Sequence, residues 1–240
     1  MMKFIESIFP LHKFKSKEAM VLLLLTSSML VFEYFGWQGP FHQHFQATSW
    51  YRDLNLNYRN FYAQIWTTGA FFILMVCLPI FVLKFIVKND AWLLSKPKLE
   101  TLKFYNILYF IMLPVLIFIS MSPNFYRFYP LYRPVTMSDW LLFELVYLPQ
   151  FFAVEFFFRG PLLAFFEKLK EGFGVFFMTL PYALIHIHKP FPEAIGSIFA
   201  GIVLGHLALK GKSIWPGVIL HMAIALTMDY LGLFQSGFFN

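Results

Sequence analysis

The sequence predicts an all-α protein, a polytopic transmembrane helical bundle of about seven spans. Composition makes the first argument: of 240 residues, 59% are hydrophobic, 21% aromatic and 13% charged, with 33 phenylalanines. A soluble domain carries roughly 25% charged residues, and a soluble core of this size could not hide so much apolar surface. Patterning makes the second, because the charges gather in short bands between long apolar runs, as they do in loops between spans. A cytosolic enzyme, a disulfide-stapled scaffold and a disordered regulator are excluded. The single cysteine, Cys77, rules out an internal disulfide and a multi-cysteine metal knuckle. The excess of 19 Lys and Arg over 13 Asp and Glu does not point to nucleic acid, since the cations sit in those bands.

The first 17 residues alternate Phe, Ile and Leu with Lys around Pro10. No small-residue cleavage site follows, so an interfacial helix leading into the first span is expected rather than a signal peptide. A span needs about 20 mostly apolar residues, and the runs that meet or approach this are 19–37, 61–83, 104–121, 140–166, 173–187, 194–209 and 214–234. Gln38-Gly39-Pro40 and Lys210-Gly211-Lys212 are turn signals between them. The fourth run is long enough to tilt or kink, and Gly160-Pro161 supplies the reason for a kink. The fifth and sixth are short. Residues 1–139 are expected to hold the interfacial segment and three spans, and residues 140–235 a core of four. There is no internal repeat and no low-complexity tract.

Loop charge sets the orientation. Thirteen Lys fall on one side of these spans, among them Lys13, Lys88, Lys98 and Lys212, against five Lys and Arg on the other, with Arg159 inside a span. The excess of cations marks the cytoplasmic side, so the N-terminus is expected inside and the C-terminus outside.

An ionisable group in a span costs at least about 2.5–3.5 kcal/mol at the helix centre, so each one asks for a reason. Glu33 lies near the end of its span, Glu144 one turn inside its own, and His206 close to Lys210; for these three, contact with water or ordinary packing suffices. Glu155 and Arg159 are different. They are four residues apart on one helix face, Glu first, within Val154-Glu155-Phe156-Phe157-Phe158-Arg159, which is the favoured order for an ion pair. The pair could pin helices together, although a buried pair is a weak device for stability alone. Counted from the same side, Glu155, His186 and His221 lie about 18, 20 and 12 Å deep on three different spans. A carboxylate and two imidazoles at similar depth can bind a metal, or activate a water and stabilise an oxyanion. Tyr182, one turn before His186, is placed to supply a hydroxyl nearby. His188 falls on another face at the span's outer end, next to Lys189-Pro190.

These residues resemble the CPBP family of intramembrane proteases, the CaaX-protease and bacteriocin-processing group that includes the Rce1-like prenyl-protein endopeptidases. The family pattern Glu-Glu-x-x-x-Arg, Phe-x-x-x-His and His-x-x-x-Asn/Asp is matched by Val154-Glu155 through Arg159, by Tyr182 through His186, and by His221 through Ala225. Family-like text surrounds them, as in Pro192-Glu193-Ala194-Ile195-Gly196 and Ser213-Ile214-Trp215-Pro216-Gly217. The likeness covers roughly residues 140–230. It implies a CPBP/Rce1-like core and an endopeptidase that cuts a membrane-associated protein or peptide with a glutamate- and histidine-activated water. Glu155, His186 and His221 would be catalytic and Arg159 and Tyr182 supporting. Zinc held by Glu155, His186 and His221 is the metal alternative, and a prenylated CaaX substrate comes only by analogy. Two departures stand out. The family's first glutamate aligns with Val154, and its last Asn or Asp aligns with Ala225. Asp229 lies eight residues after His221, about 80° round the helix, and is no obvious substitute. Either a reduced site works, or the chain is a catalytically inactive membrane scaffold or chaperone on this fold. A proton-coupled transporter is the remaining class, disfavoured by the absence of visible repeats.

Overall fold

The computed structural model describes residues 16–88 and 92–239. The expected interfacial helix lies almost wholly outside them. Among the described residues, six helices are long and apolar enough to cross a membrane. They are α1 (Lys17–Gly36), α4 (Leu56–Val87), α5 (Leu99–Ser120), the composite Met137–Leu169, α11 (Phe191–Gly211) and α12 (Trp215–Gln235). Short helices α2 (Gln38–Phe45) and α3 (Ser49–Asp53) bridge α1 and α4, and α6 (Pro123–Phe128) follows α5. The stretch expected as the fifth span holds a shorter helix, α10 (Phe173–Leu184). Its 12 residues rise about 18 Å, against a hydrocarbon thickness of about 30 Å.

The composite helix is three pieces: α7 (Met137–Tyr147), α8 (Gln150–Arg159) and α9 (Pro161–Leu169). Thr136 starts it with a capping box, accepting from Asp139 N at 3.1 Å while its own N–H donates to the Asp139 carboxylate at 2.9 Å. The expected break falls at Gly160-Pro161. A Cβ on residue 160 would run into the Phe156 carbonyl oxygen, so the joint is built for glycine. Pro149 makes a second joint, between α7 and α8.

α8 is the centre of the bundle. Nine of its ten residues are buried, Glu155 and Arg159 among them, and it packs against α4, α10, α11 and α12. A helix apolar on nearly every side has no choice but the interior. Residues 92–98 close one end: Leu93 accepts from Ile214 N at 2.9 Å, Leu94 accepts from Trp215 Nε1 at 3.2 Å, and Trp92 stacks on Phe156. At the other end the exposed ring of His188 meets Glu33 at 2.7 Å. That contact brings the turn after α10 to the same end of the bundle as the close of α1.

Candidate active site

Burial of α8 forces its two charged residues to find each other. Arg159 Nη1 donates to Glu155 Oε1, the i,i+4 contact expected from their spacing. From α12, His221 Nδ1 reaches the same oxygen at 2.9 Å. A carboxylate only accepts, so Nδ1 carries the proton and Nε2 is left for other chemistry. Among the described residues Glu155 Oε2 has no hydrogen-bond partner, and it lies against Gly217, where a Cβ would sit 2.8 Å from it. Glycine is required there because carboxylate and helix backbone approach that closely. The guanidinium of Arg159 lies 4.1 Å over the Tyr182 ring, which fixes its second side.

His186 sits just beyond the end of α10, in the turn that follows. Its Nδ1 is 2.8 Å from the Tyr182 backbone carbonyl, which again puts the proton on Nδ1 and frees Nε2. Tyr182 therefore orients His186 through its carbonyl rather than through the expected hydroxyl. The Tyr182 and His186 rings are 4.7 Å apart and the Tyr182 and His221 rings 6.4 Å, so one tyrosine touches both imidazoles. Phe151 packs on His221 at 4.5 Å.

Both histidines line a cavity of about 450 Å³ between α1, α2, α4, α8 and α12, whose rim includes the exposed Glu33 and His188. They also line a second cavity of about 870 Å³ between α5, α11 and α12, walled mainly by apolar residues such as Leu108, Leu116, Phe199 and Val203. The imidazoles thus form part of the partition between two chambers. Glu155 is 0% exposed and lines neither, standing behind His221. Val154 and Ala225, the two departures from the family pattern, both face the smaller cavity.

Residues 136–227 match the family described as Rce1-like, Type II CAAX prenyl endopeptidase. Over this segment the chain is similar to the Rce1-like family. No match is found among curated proteins or among solved structures. The Rce1-like segment contains Glu155, Arg159, Tyr182, His186 and His221, while α1, α2 and α4, which contribute to the smaller chamber, lie outside it.

The residues do not fit a zinc site. One oxygen of Glu155 is taken by Arg159 and His221, the other faces Gly217, and among the described residues no three His, Cys, Asp or Glu cluster closely enough to hold a metal ion. Glu33 is 44% exposed in its side chain and His206 is exposed, in keeping with their ordinary roles. Glu144 is not in contact with water: it is 3% exposed and lies beside Asp229 of α12, which is 1% exposed. The cause is non-local. The 129–132 loop folds over the end of the span, with Leu131 N donating to Asp229 Oδ1 at 3.1 Å. Beside it Tyr129 donates to Glu193 Oε2 at 2.7 Å. Burial pushes the Tyr129 hydroxyl well above the usual tyrosine range, so it stays a donor.

Proposed function

We propose that the chain is an intramembrane endopeptidase that hydrolyses a peptide bond of a membrane-associated protein or peptide with a histidine-activated water. The observation that supports this is the pair of imidazoles on one cavity wall, each with Nδ1 engaged and Nε2 free. In this reading His186 Nε2 takes a proton from water as the oxygen attacks the carbonyl carbon. His221, protonated, donates from Nε2 to the developing oxyanion, its imidazolium compensated by Glu155 and that carboxylate in turn by Arg159. Collapse breaks the C–N bond, and the proton held by His186 passes to the leaving amine. Glu155 acts through His221 and is a positioning residue, because it has no surface in the cavity. Tyr182 is a second one, through its carbonyl. The apolar chamber beside the histidines suits a lipid-modified substrate, the class named in the family description.

One observation favours the inactive scaffold as a second reading. Val154 and Ala225 both face the chamber, so the two polar groups of the family pattern are missing at the place where substrate would lie. The test is cleavage of prenylated and unmodified peptide libraries by the purified full-length chain, His186→Gln, and the double variant Val154→Glu/Ala225→Asn. Cleavage by the unaltered chain that falls by about 10²-fold or more in His186→Gln supports the protease. Activity only in the double variant makes the natural chain a scaffold on a disarmed site. Cleavage undiminished in His186→Gln overturns the mechanism.

A further inference from the structure

The smaller cavity, which the two histidines line, also carries a chain of side-chain amides. Gln38 Nε2 donates to Gln64 Oε1 at 2.8 Å, and Gln64 Nε2 donates to Gln150 Oε1 at 3.2 Å and to Thr68 Oγ1 at 3.1 Å. The polarity of this ladder is fixed from one end. The Thr68 hydroxyl has a single proton and gives it to the Val146 carbonyl at 2.9 Å, so it can only accept from Gln64. Gln64 must then turn its oxygen to Gln38 and spend its second N–H on the oxygen of Gln150. Two groups are left over. Among the described residues no hydrogen bond uses Gln38 Oε1, and none uses Gln150 Nε2. Gln38, Gln64 and Gln150 all line the cavity. So does Thr67, 2% exposed, whose hydroxyl also has no partner.

Holding α2, α4 and α8 together explains the internal bonds of the ladder. It leaves an unspent acceptor at one end and an unspent donor at the other, both on residues that line the cavity, and beside them the buried Thr67 hydroxyl, which lacks the partner that buried polar groups ordinarily have. An acceptor at one end of the strip and a donor at the other can meet the groups of a peptide backbone, which presents one N–H and one C=O per residue. We propose that the ladder is a main-chain recognition strip: Gln38 Oε1 accepts an N–H, and Gln150 Nε2 donates to a C=O, of an extended peptide lying between it and His186 and His221. Binding of this kind takes affinity from the main chain and leaves side chains to pockets. Gln38 and Gln64 lie outside the Rce1-like segment, so the strip is a contribution of the N-terminal helices to the site. The inference rests on the reading above that the chamber holds peptide.

The test is binding by the full-length chain in nanodiscs, read as fluorescence anisotropy of a labelled decapeptide of alternating Ala and Leu, with a scan in which each backbone amide in turn is N-methylated. With the unaltered chain, N-methylation at one position is expected to weaken binding about three- to tenfold, the worth of one neutral hydrogen bond. Gln38→Met should weaken the unmethylated peptide by the same factor and become indifferent to methylation at that position, while Gln150→Met should weaken binding and stay sensitive to it. Gln38 is only partly buried and is read first, because its loss removes the outer rung alone. A flat scan, including one in which excess phosphatidylglycerol displaces the peptide, overturns the proposal, as does a scan that Gln38→Met leaves unchanged, or no binding. Cleavage is read separately. Peptide bound through the strip but never cut keeps this inference and removes the protease reading; peptide cut equally well by the Gln variants does the reverse.

Discussion

Removing Arg159 is the sharpest perturbation of the site. The residue is 2% exposed, its guanidinium bonds to a carboxylate that is 0% exposed, and it lies 4.1 Å over the Tyr182 ring. Arg159→Met keeps most of the volume and deletes the charge. Glu155 would then have His221 alone for compensation, with Oε2 still unpartnered. Breaking one side of a buried pair costs about 3–5 kcal/mol, and loss of the cation–ring contact adds up to about 2 kcal/mol. The double variant Glu155→Gln/Arg159→Met removes both charges, and neutral replacement of a buried pair is often close to harmless. It is therefore expected to be more stable than Arg159→Met, with a coupling of about 2 kcal/mol or more between the two sites. Equilibrium unfolding in mixed dodecyl sulfate micelles, with the single Glu155→Gln completing the cycle, measures this. Additive losses would show that the pair is not coupled and that the charges are compensated separately.

The loop-charge excess predicts that, with Cys77 replaced, a cysteine at Glu171 reacts with a membrane-impermeant thiol reagent from the cytoplasmic side and one at His44 from the opposite side; the reverse pattern, or both on one side, refutes the N-terminus-inside orientation. Gly217→Ala would put a methyl 2.8 Å from Glu155 Oε2, and overpacking of this kind costs about 1–3 kcal/mol, so thermal unfolding of that variant should come earlier. An unchanged transition would mean that Glu155 moves freely. Glu144→Gln replaces one of two buried carboxyl groups that meet at Asp229, where among the described residues three of their four oxygens lack a partner, by a neutral amide that always has a donor. It is expected to be neutral or stabilising by the same measurement, and a loss above about 1 kcal/mol would contradict the description of two unpartnered carboxyl groups.

How much of this was legible in the sequence depended on the range of the interaction. The Glu155–Arg159 contact is four residues long, and helix geometry alone predicts it. Similar depth on three spans brought His186 and His221 together with Glu155, and the resemblance matched the same residues. What depth does not give is rotation about the helix axis, and that decides which group meets the chamber: the wall takes Val154 and leaves Glu155 behind His221. The count that put Glu144 one turn from water was correct along the chain, but it ignored the 129–132 loop, whose backbone closes over Asp229. The fifth span was over-extended for a local reason, since the apolar run continues past Leu184 while the backbone has already turned, with His186 N and Ile187 N donating to Ala183 and Leu184. The amide ladder was invisible for another. Gln38, Gln64 and Gln150 are ordinary polar residues scattered over more than a hundred positions, and only the bundle brings them to one wall.

The position of the two histidines in a shared partition has a practical consequence for handling the protein. An alkyl chain entering the larger chamber from its apolar side would come to rest against the same imidazoles that face the smaller one. If the chain cuts peptides as proposed, the surfactant chosen for extraction competes for the site. On that reading, turnover should vary with the chain length of that surfactant even at constant micelle concentration.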